Sequence, residues 1–156
     1  MKKSIAFMQR AYKQMLYEIE HSQEKETGGF LLGHISEKQI TVCEAVDGGV
    51  NVISNEYSFS YDEQYVEHVS KRLMALYTPP LEIVGVWHKH NSYHELPFSD
   101  ADMEIHKQMY DISKEAAISC LFQKLDDSSF EMDVYQLLPE GKYEEVEEFV
   151  LNVDNK

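Results

Sequence analysis

The run Leu81–His90, LEIVGVWHKH, follows two prolines and stays largely apolar until it ends in His-Lys-His. Pro79 and Pro80 cannot continue a helix, so the run starts afresh as a strand. A strand needs neighbours, and the flanking sequence supplies them. Gly28–Ile35 (GGFLLGHI) reads as a buried strand and Ile40–Val46 as another. Residues 48–60 read as loop and then strand, and Ala116–Gln123 and Phe130–Leu138 as two closing strands. Helical spacing recurs between them. Met8, Tyr12, Met15 and Ile19 mark an amphipathic helix over about residues 8–21, after a short strand at Ser4–Phe7. Tyr65, Val69, Leu73 and Leu76 mark a second helix, opened by a capping box at Ser60-Tyr-Asp-Glu63 and ending near Tyr77. A third runs from about Ser99 to Ser113. This order predicts an α+β fold: a mixed central sheet flanked by helices, in a three-layer α/β/α-like arrangement.

The 156 residues suit one domain, placed over residues 1–138. An acidic C-terminal tail, 139–156, is left open between a short helix and a solvated end. Hydrophobic residues at 43% argue against disorder. Asp plus Glu outnumber Lys plus Arg by 28 to 14, a net charge of −14. Such a surface repels phosphate backbones and anionic membranes, so neither nucleic acid nor membrane is the expected partner; a basic peptide or protein suits the field better. Cys43 and Cys120 form no CxxC pair and sit in apolar runs, as small buried hydrophobes in a reducing compartment do. Gln9, Arg10 and Lys13 interrupt the N-terminal apolar residues, so no signal peptide is expected. No apolar run approaches the roughly 20 residues that span a bilayer. The expectation is a soluble, cytoplasmic protein.

Chemistry concentrates at the end of the Leu81–His90 strand. Alternation puts Val84, Val86, His88 and His90 on one face and Ile83, Gly85, Trp87 and Lys89 on the other. The two imidazoles emerge side by side and can converge on one metal ion. With 7 histidines in 156 residues, chance alone supplies roughly 0.3 such pairs, so the pair is weak by itself. Ser99-Asp-Ala-Asp102 adds a helix-capping pattern whose aspartate projects from a rigid first turn. Two His and one Asp would leave a fourth position open for water, the catalytic zinc pattern. The Ser99 hydroxyl would lie close enough to donate to a developing oxyanion. Glu26 precedes Gly28 and Gly29, whose missing side chains let a backbone or a substrate approach closely. Taken alone, Glu26 reads rather as the exposed end of the charged run at 24–26.

Together, ETGGFLLG, VGVWHKH and PFSDAD resemble the JAMM motif of the MPN (JAB-domain) zinc metallopeptidases, in their prokaryotic stand-alone, deubiquitinase-like branch. The resemblance covers about residues 4–138. It implies an MPN/JAB, cytidine-deaminase-like fold. It implies a Zn2+ ion held by His88, His90 and Asp102 with a catalytic water, Ser99 stabilising the tetrahedral intermediate, and Glu26 as general base and then proton donor to the leaving amine. The implied activity is cleavage after the C-terminal tail of a ubiquitin-like protein, in deconjugation or precursor maturation. Ubiquitin-like activating or conjugating enzymes are further implied partners. The alternative is a metal-free MPN-type scaffold that binds partners without catalysis, and the presence of all five residues counts against it.

The chain departs from the family pattern in three places. Asn91 stands where the family usually has proline, Lys89 where it has a small residue, and the loop 91–98 is one residue longer than usual. Lys89 is expected to face away from the metal. Of the other histidines, His94 reads as an exposed loop residue rather than one that flanks the metal. His106, one turn after Asp102, is a candidate supporting partner of the site, and His34 belongs to the far end of its strand.

Overall fold

In the computed structural model, residues 2–23, 25–49, 53–54, 59–60, 62–91, 96–114 and 117–153 are described. Apolar strand segments pair into one mixed sheet. Its members are β1 (Ser4–Met8), β2 (Thr27–Ile35), β3 (Gln39–Ala45), β6 (Glu82–His90), β7 (Ile118–Lys124), β8 (Phe130–Leu137), β9 (Tyr143–Glu145) and β10 (Val150–Val153). They lie in the order β10-β1-β3-β2-β6-β7-β8-β9. A separate two-stranded pair joins β4 (Ile53–Ser54) to β5 (Phe59–Ser60). The described helices are α1 (Gln9–Ser22), α2 (Glu63–Ala75) and α3 (Asp100–Ile112). The expected α+β class, a mixed sheet with helices packed on it, is what these elements form.

Each helix buries one face. In α1, Ala11, Met15 and Ile19 recur at four-residue spacing and pack with Phe7, Trp87, Cys120 and Phe122. The buried line runs through Ala11 rather than the expected Met8, because Met8 still belongs to β1, and Tyr12 is only half-buried. Val69 and Leu73 of α2 pack on Leu32, Cys43, Val46 and Leu81. Met109 of α3 packs on Val86, Ala117 and Leu137. Among these, each Met, Ile, Leu, Val or Phe side chain fully removed from water contributes roughly 1.5–3 kcal/mol before entropy is counted. Both cysteines are buried and unpaired, as expected, and burial pushes the Cys43 thiol up to about 11.

Two sequence expectations need correction, and one question left open is answered. The capping box at Ser60 is not the start of α2: Asp62 is its N-cap, with its carboxylate accepting the Tyr65 N–H at 3.2 Å, and Glu63 is the first helical residue. Leu76 lies outside the apolar stripe, 77% exposed, because the helix has already ended at Ala75. The acidic segment after 138, left open between a short helix and a solvated end, forms two short strands within the described residues. A 3-10 turn at Pro139–Gly141 leads into β9 on β8, and β10 pairs in parallel with β1 at the opposite edge. His94 falls outside the described residues.

Sheet direction decides where chemistry can gather. β2 runs antiparallel to β6, with Thr27 opposite Lys89 and Gly28 opposite His88. The start of β2 therefore lies beside the end of β6. β6 and β7 are parallel, so α3 must cross over between them, and its first turn follows the end of β6. Three separate sequence segments meet at this one end of the sheet.

Candidate metal centre

Gly28 and Gly29 make the approach of β2 to its neighbours possible. A Cβ on Gly28 would lie 2.4 Å from the Trp87 carbonyl oxygen, and one on Gly29 1.6 Å from the Val46 carbonyl oxygen. Over the bare backbone at Gly29, the Trp87 indole N–H reaches across β2 and donates to Val46 O at 3.0 Å. The close approach anticipated from the glycine pair is thus made by protein backbone. It holds the β2 start, and Glu26 just before it, against the end of β6.

The alternation read from VGVWHKH is present. His88 and His90 share a face with their ring centroids 4.6 Å apart at a steep interplanar angle. Glu26 is 5% exposed and His90 4%. A Glu26 carboxylate oxygen lies 3.6 Å from His88 Nε2. One ligand atom each from Glu26, His88 and His90 falls within 4.8 Å of the others, an arrangement that could hold a metal ion. Asp102 approaches the other ring nitrogen of His88, with Oδ1 3.4 Å from Nδ1, and its Oδ2 lies 3.6 Å from His90 Nε2. Glu26 and Asp102 thus approach different nitrogens of His88, and the group whose ligand atoms all lie within reach of one another is Glu26, His88 and His90, with Asp102 beside both imidazoles.

Asp102 is aimed by the start of α3. Ser99 is the N-cap, and its capping box is complete: the Asp102 N–H donates to Ser99 Oγ at 3.2 Å, while Ser99 N–H and Oγ–H both donate to Asp102 Oδ2 at 2.9 and 3.0 Å. The capping and the chemical readings of this segment coincide, since the cap orients the carboxylate. Phe98, the residue before the cap, packs with Met103, Leu121, Tyr135 and Tyr143. A Phe98–Met103 pair is a hydrophobic staple, and that signal was present in the sequence although it was not among those read there. Tyr143, by contrast, comes from the acidic tail, and its spacing announces nothing.

Charge at the centre follows from burial and these contacts. Burial alone would lower the basicity of His88, but Asp102 on one nitrogen and Glu26 on the other outweigh it and push the ring up to about 9. Burial would raise the Asp102 acid, yet His88, His90 and the Ser99 N–H hold it well below the usual carboxylate range. His106, four residues after Asp102, is 4% exposed with its ring edge-on to Phe98, and burial pushes it down to about 4. It adjoins the centre electrostatically, through Asp102 and His88, and offers no hydrogen bond to Asp102 among the described residues. His34 lies at the far end of β2, edge-on to Tyr77.

Lys89 does face away from the histidines. It is fully buried, and its amine donates to Ser22 Oγ and to Gln23 O, each at 2.7 Å. Burial and the charge of Lys124 push it down to about 8 against the opposing pull of Glu26.

A mixed sheet that closes a central strand with two imidazoles, facing a buried glutamate and a helix-capped aspartate, defines a domain built around a candidate metal centre. The family described as prokaryotic homologs of the JAB domain matches residues 8–133, and the chain belongs to that family. The solution structure of a protein from Desulfitobacterium hafniense is similar in fold, with a TM-score of 0.68 at 16% identity over 97% of this chain and 95% of that one. No curated protein matches the sequence. Among the described residues, no helix is long and apolar enough to cross a membrane.

Proposed function

We propose that this JAB-domain protein is a zinc-dependent isopeptidase or peptidase that cleaves after the C-terminal tail of a ubiquitin-like protein. The observation that carries the reading is the convergence of Glu26, His88 and His90 within 4.8 Å, with Asp102 against both imidazoles. The donor set suits zinc, whose ordinary ligands are imidazole nitrogens and carboxylate oxygens. Such an ion supplies a Lewis acid and a water acidified to a pKa of about 7. His88 and His90 would hold it from β6 and Asp102 from α3. Glu26, buried and one residue ahead of β2, is the proton-moving group: general base first, then donor to the leaving amine. The Ser99 hydroxyl, which donates to Asp102 Oδ2, would turn to stabilise the negative oxygen of the scissile carbonyl.

Ubiquitin-like proteins or their conjugates are the proposed substrates, with their activating or conjugating enzymes as further partners. A cytoplasmic setting belongs to the same proposal and accords with two buried free thiols. The three-layer arrangement is supported by α1 packing on one buried cluster and α2 and α3 on two others.

The test is zinc content and cleavage measured side by side on wild type, His88→Ala and Glu26→Gln. The expected result is about one zinc per chain in wild type and Glu26→Gln, none in His88→Ala, and cleavage of a ubiquitin-like fusion by wild type alone. A wild-type chain that takes up no zinc, even when supplied, would sink the hydrolase reading in favour of the metal-free scaffold.

A further inference from the structure

We infer that Lys89 is a positioning residue for Glu26: its buried amine clamps the C-terminal end of α1 and so fixes the turn from which Glu26 meets the two histidines. The inference rests on the proposed role of Glu26 at the metal centre.

Lys89 occupies an unusual place. It lies between His88 and His90 on β6, yet its side chain runs through the opposite face of the sheet and is fully buried. An ammonium there is costly unless its donors are satisfied. Both acceptors it finds, Ser22 Oγ and Gln23 O at 2.7 Å each, belong to the last residue of α1 and to its C-cap. The carbonyl end of a helix also carries partial negative charge, which a cation offsets. The Phe130 ring, 5.6 Å from Nζ, closes the pocket.

The clamped segment is the one that must turn sharply. Gln23 adopts a positive φ of 54°, and the Lys25 N–H then donates to Ser22 O at 3.0 Å. Glu26 follows at once, and Thr27 pairs with Lys89 itself. The same lysine thus touches the turn before Glu26 through its amine and the residue after Glu26 through its backbone. His88 and His90 ride on the two neighbouring positions of that strand. The clamp therefore restrains the backbone on the approach to Glu26, and its loss would free that backbone to shift relative to the histidines. A side chain too short to reach α1 would leave this link unmade.

The measurement is the side-chain carboxyl 13C signal of Glu26 in glutamate-labelled protein, identified by its disappearance in Glu26→Gln. Zinc is added to wild type, Lys89→Met and Ser22→Ala, with uptake measured on the same samples and folding checked by circular dichroism. In wild type, zinc should shift the Glu26 signal. In Lys89→Met, with zinc still taken up, most of that shift should be lost. Ser22→Ala, which keeps the lysine and removes one acceptor, should lose part of it. A full zinc-induced shift in a folded Lys89→Met would overturn the positioning role while leaving the metal centre intact. If Lys89→Met does not fold, a full shift in Ser22→Ala overturns it instead. No zinc uptake by wild type overturns the proposed function and this inference with it.

Discussion

His88 stands between two carboxylates, and a metal must displace its proton before it can bind. With the ring pushed up to about 9, its contribution to stability in the metal-free chain is complete below the unfolded value of about 6.5 and is lost as pH rises through about 9. A ligating imidazole must be neutral. Apparent zinc affinity should therefore climb by roughly tenfold per pH unit from about pH 7 to about pH 9 and then level off. Competition against a chelator of known affinity measures this, and a flat profile would show that zinc displaces no proton from His88 in this range. His106 has the opposite sign. Its folded value of about 4 lies below the unfolded one, so its contribution is lost as pH falls from about 6.5 towards 4. His106→Leu should remove about 2 kcal/mol of the stability change between neutral pH and pH 5, read from urea unfolding at the two pH values. Strand alternation singles out His88 in the sequence, and helical spacing from Asp102 singles out His106. Their protonation was not legible there, because it depends on which carboxylates folding brings beside them.

The elements show why one part of the site could be read from sequence and another could not. Strand alternation fixed the shared face of His88 and His90, and the cap pattern fixed where α3 begins, because both signals are local and apply within a few residues. Asp62 competed with Ser60 as the cap of α2, and spacing alone does not choose between two nearby oxygen-bearing side chains. The glycine pair was legible as a close approach, but not what approaches. In the fold, Gly29 lies beneath the Trp87–Val46 hydrogen bond, which ties β6 to β3 across β2. Gly29→Ala would drive a methyl into the Val46 carbonyl, a backbone atom that cannot step aside without moving β3. The expected cost is about 3 kcal/mol or more, since overpacking against backbone has no cheap relaxation. Urea unfolding of Gly29→Ala beside wild type measures it, and a loss below about 1 kcal/mol would show that β2 and β3 slide freely.

For the whole molecule, the acidic tail is the element that sequence reading left undecided, and it reaches both edges of the sheet. Its charged residues obscured a short apolar pattern. Val146, Phe149 and Leu151 pack against the core, while Glu147, Glu148 and Glu145 face water. Such a strand of three or four residues is too brief for periodicity to declare itself, and its partners β8 and β1 are far apart in the sequence. The tail also divides its contacts by function. Tyr143 packs edge-on to Phe98 at 5.0 Å, directly beneath the Ser99 cap that aims Asp102. Phe149 packs on Phe7 at 6.0 Å, on β1 beyond β2 and β3 from the candidate metal centre. Phe149→Ala and Tyr143→Ala should each cost about 2 kcal/mol, less than a fully buried aromatic because both are only partly covered. Their effects on metal should separate. Loosening Phe98 frees the first turn of α3, so Tyr143→Ala should weaken zinc binding roughly tenfold, as loss of an outer support does. Phe149→Ala should leave the affinity unchanged, because β10 and β1 hold none of Glu26, His88, His90 and Asp102. Urea unfolding and chelator competition on the two variants test this together. Equal zinc affinity in both would assign the tail to the fold alone, and a selective loss in Tyr143→Ala would make it part of the frame that presents Asp102.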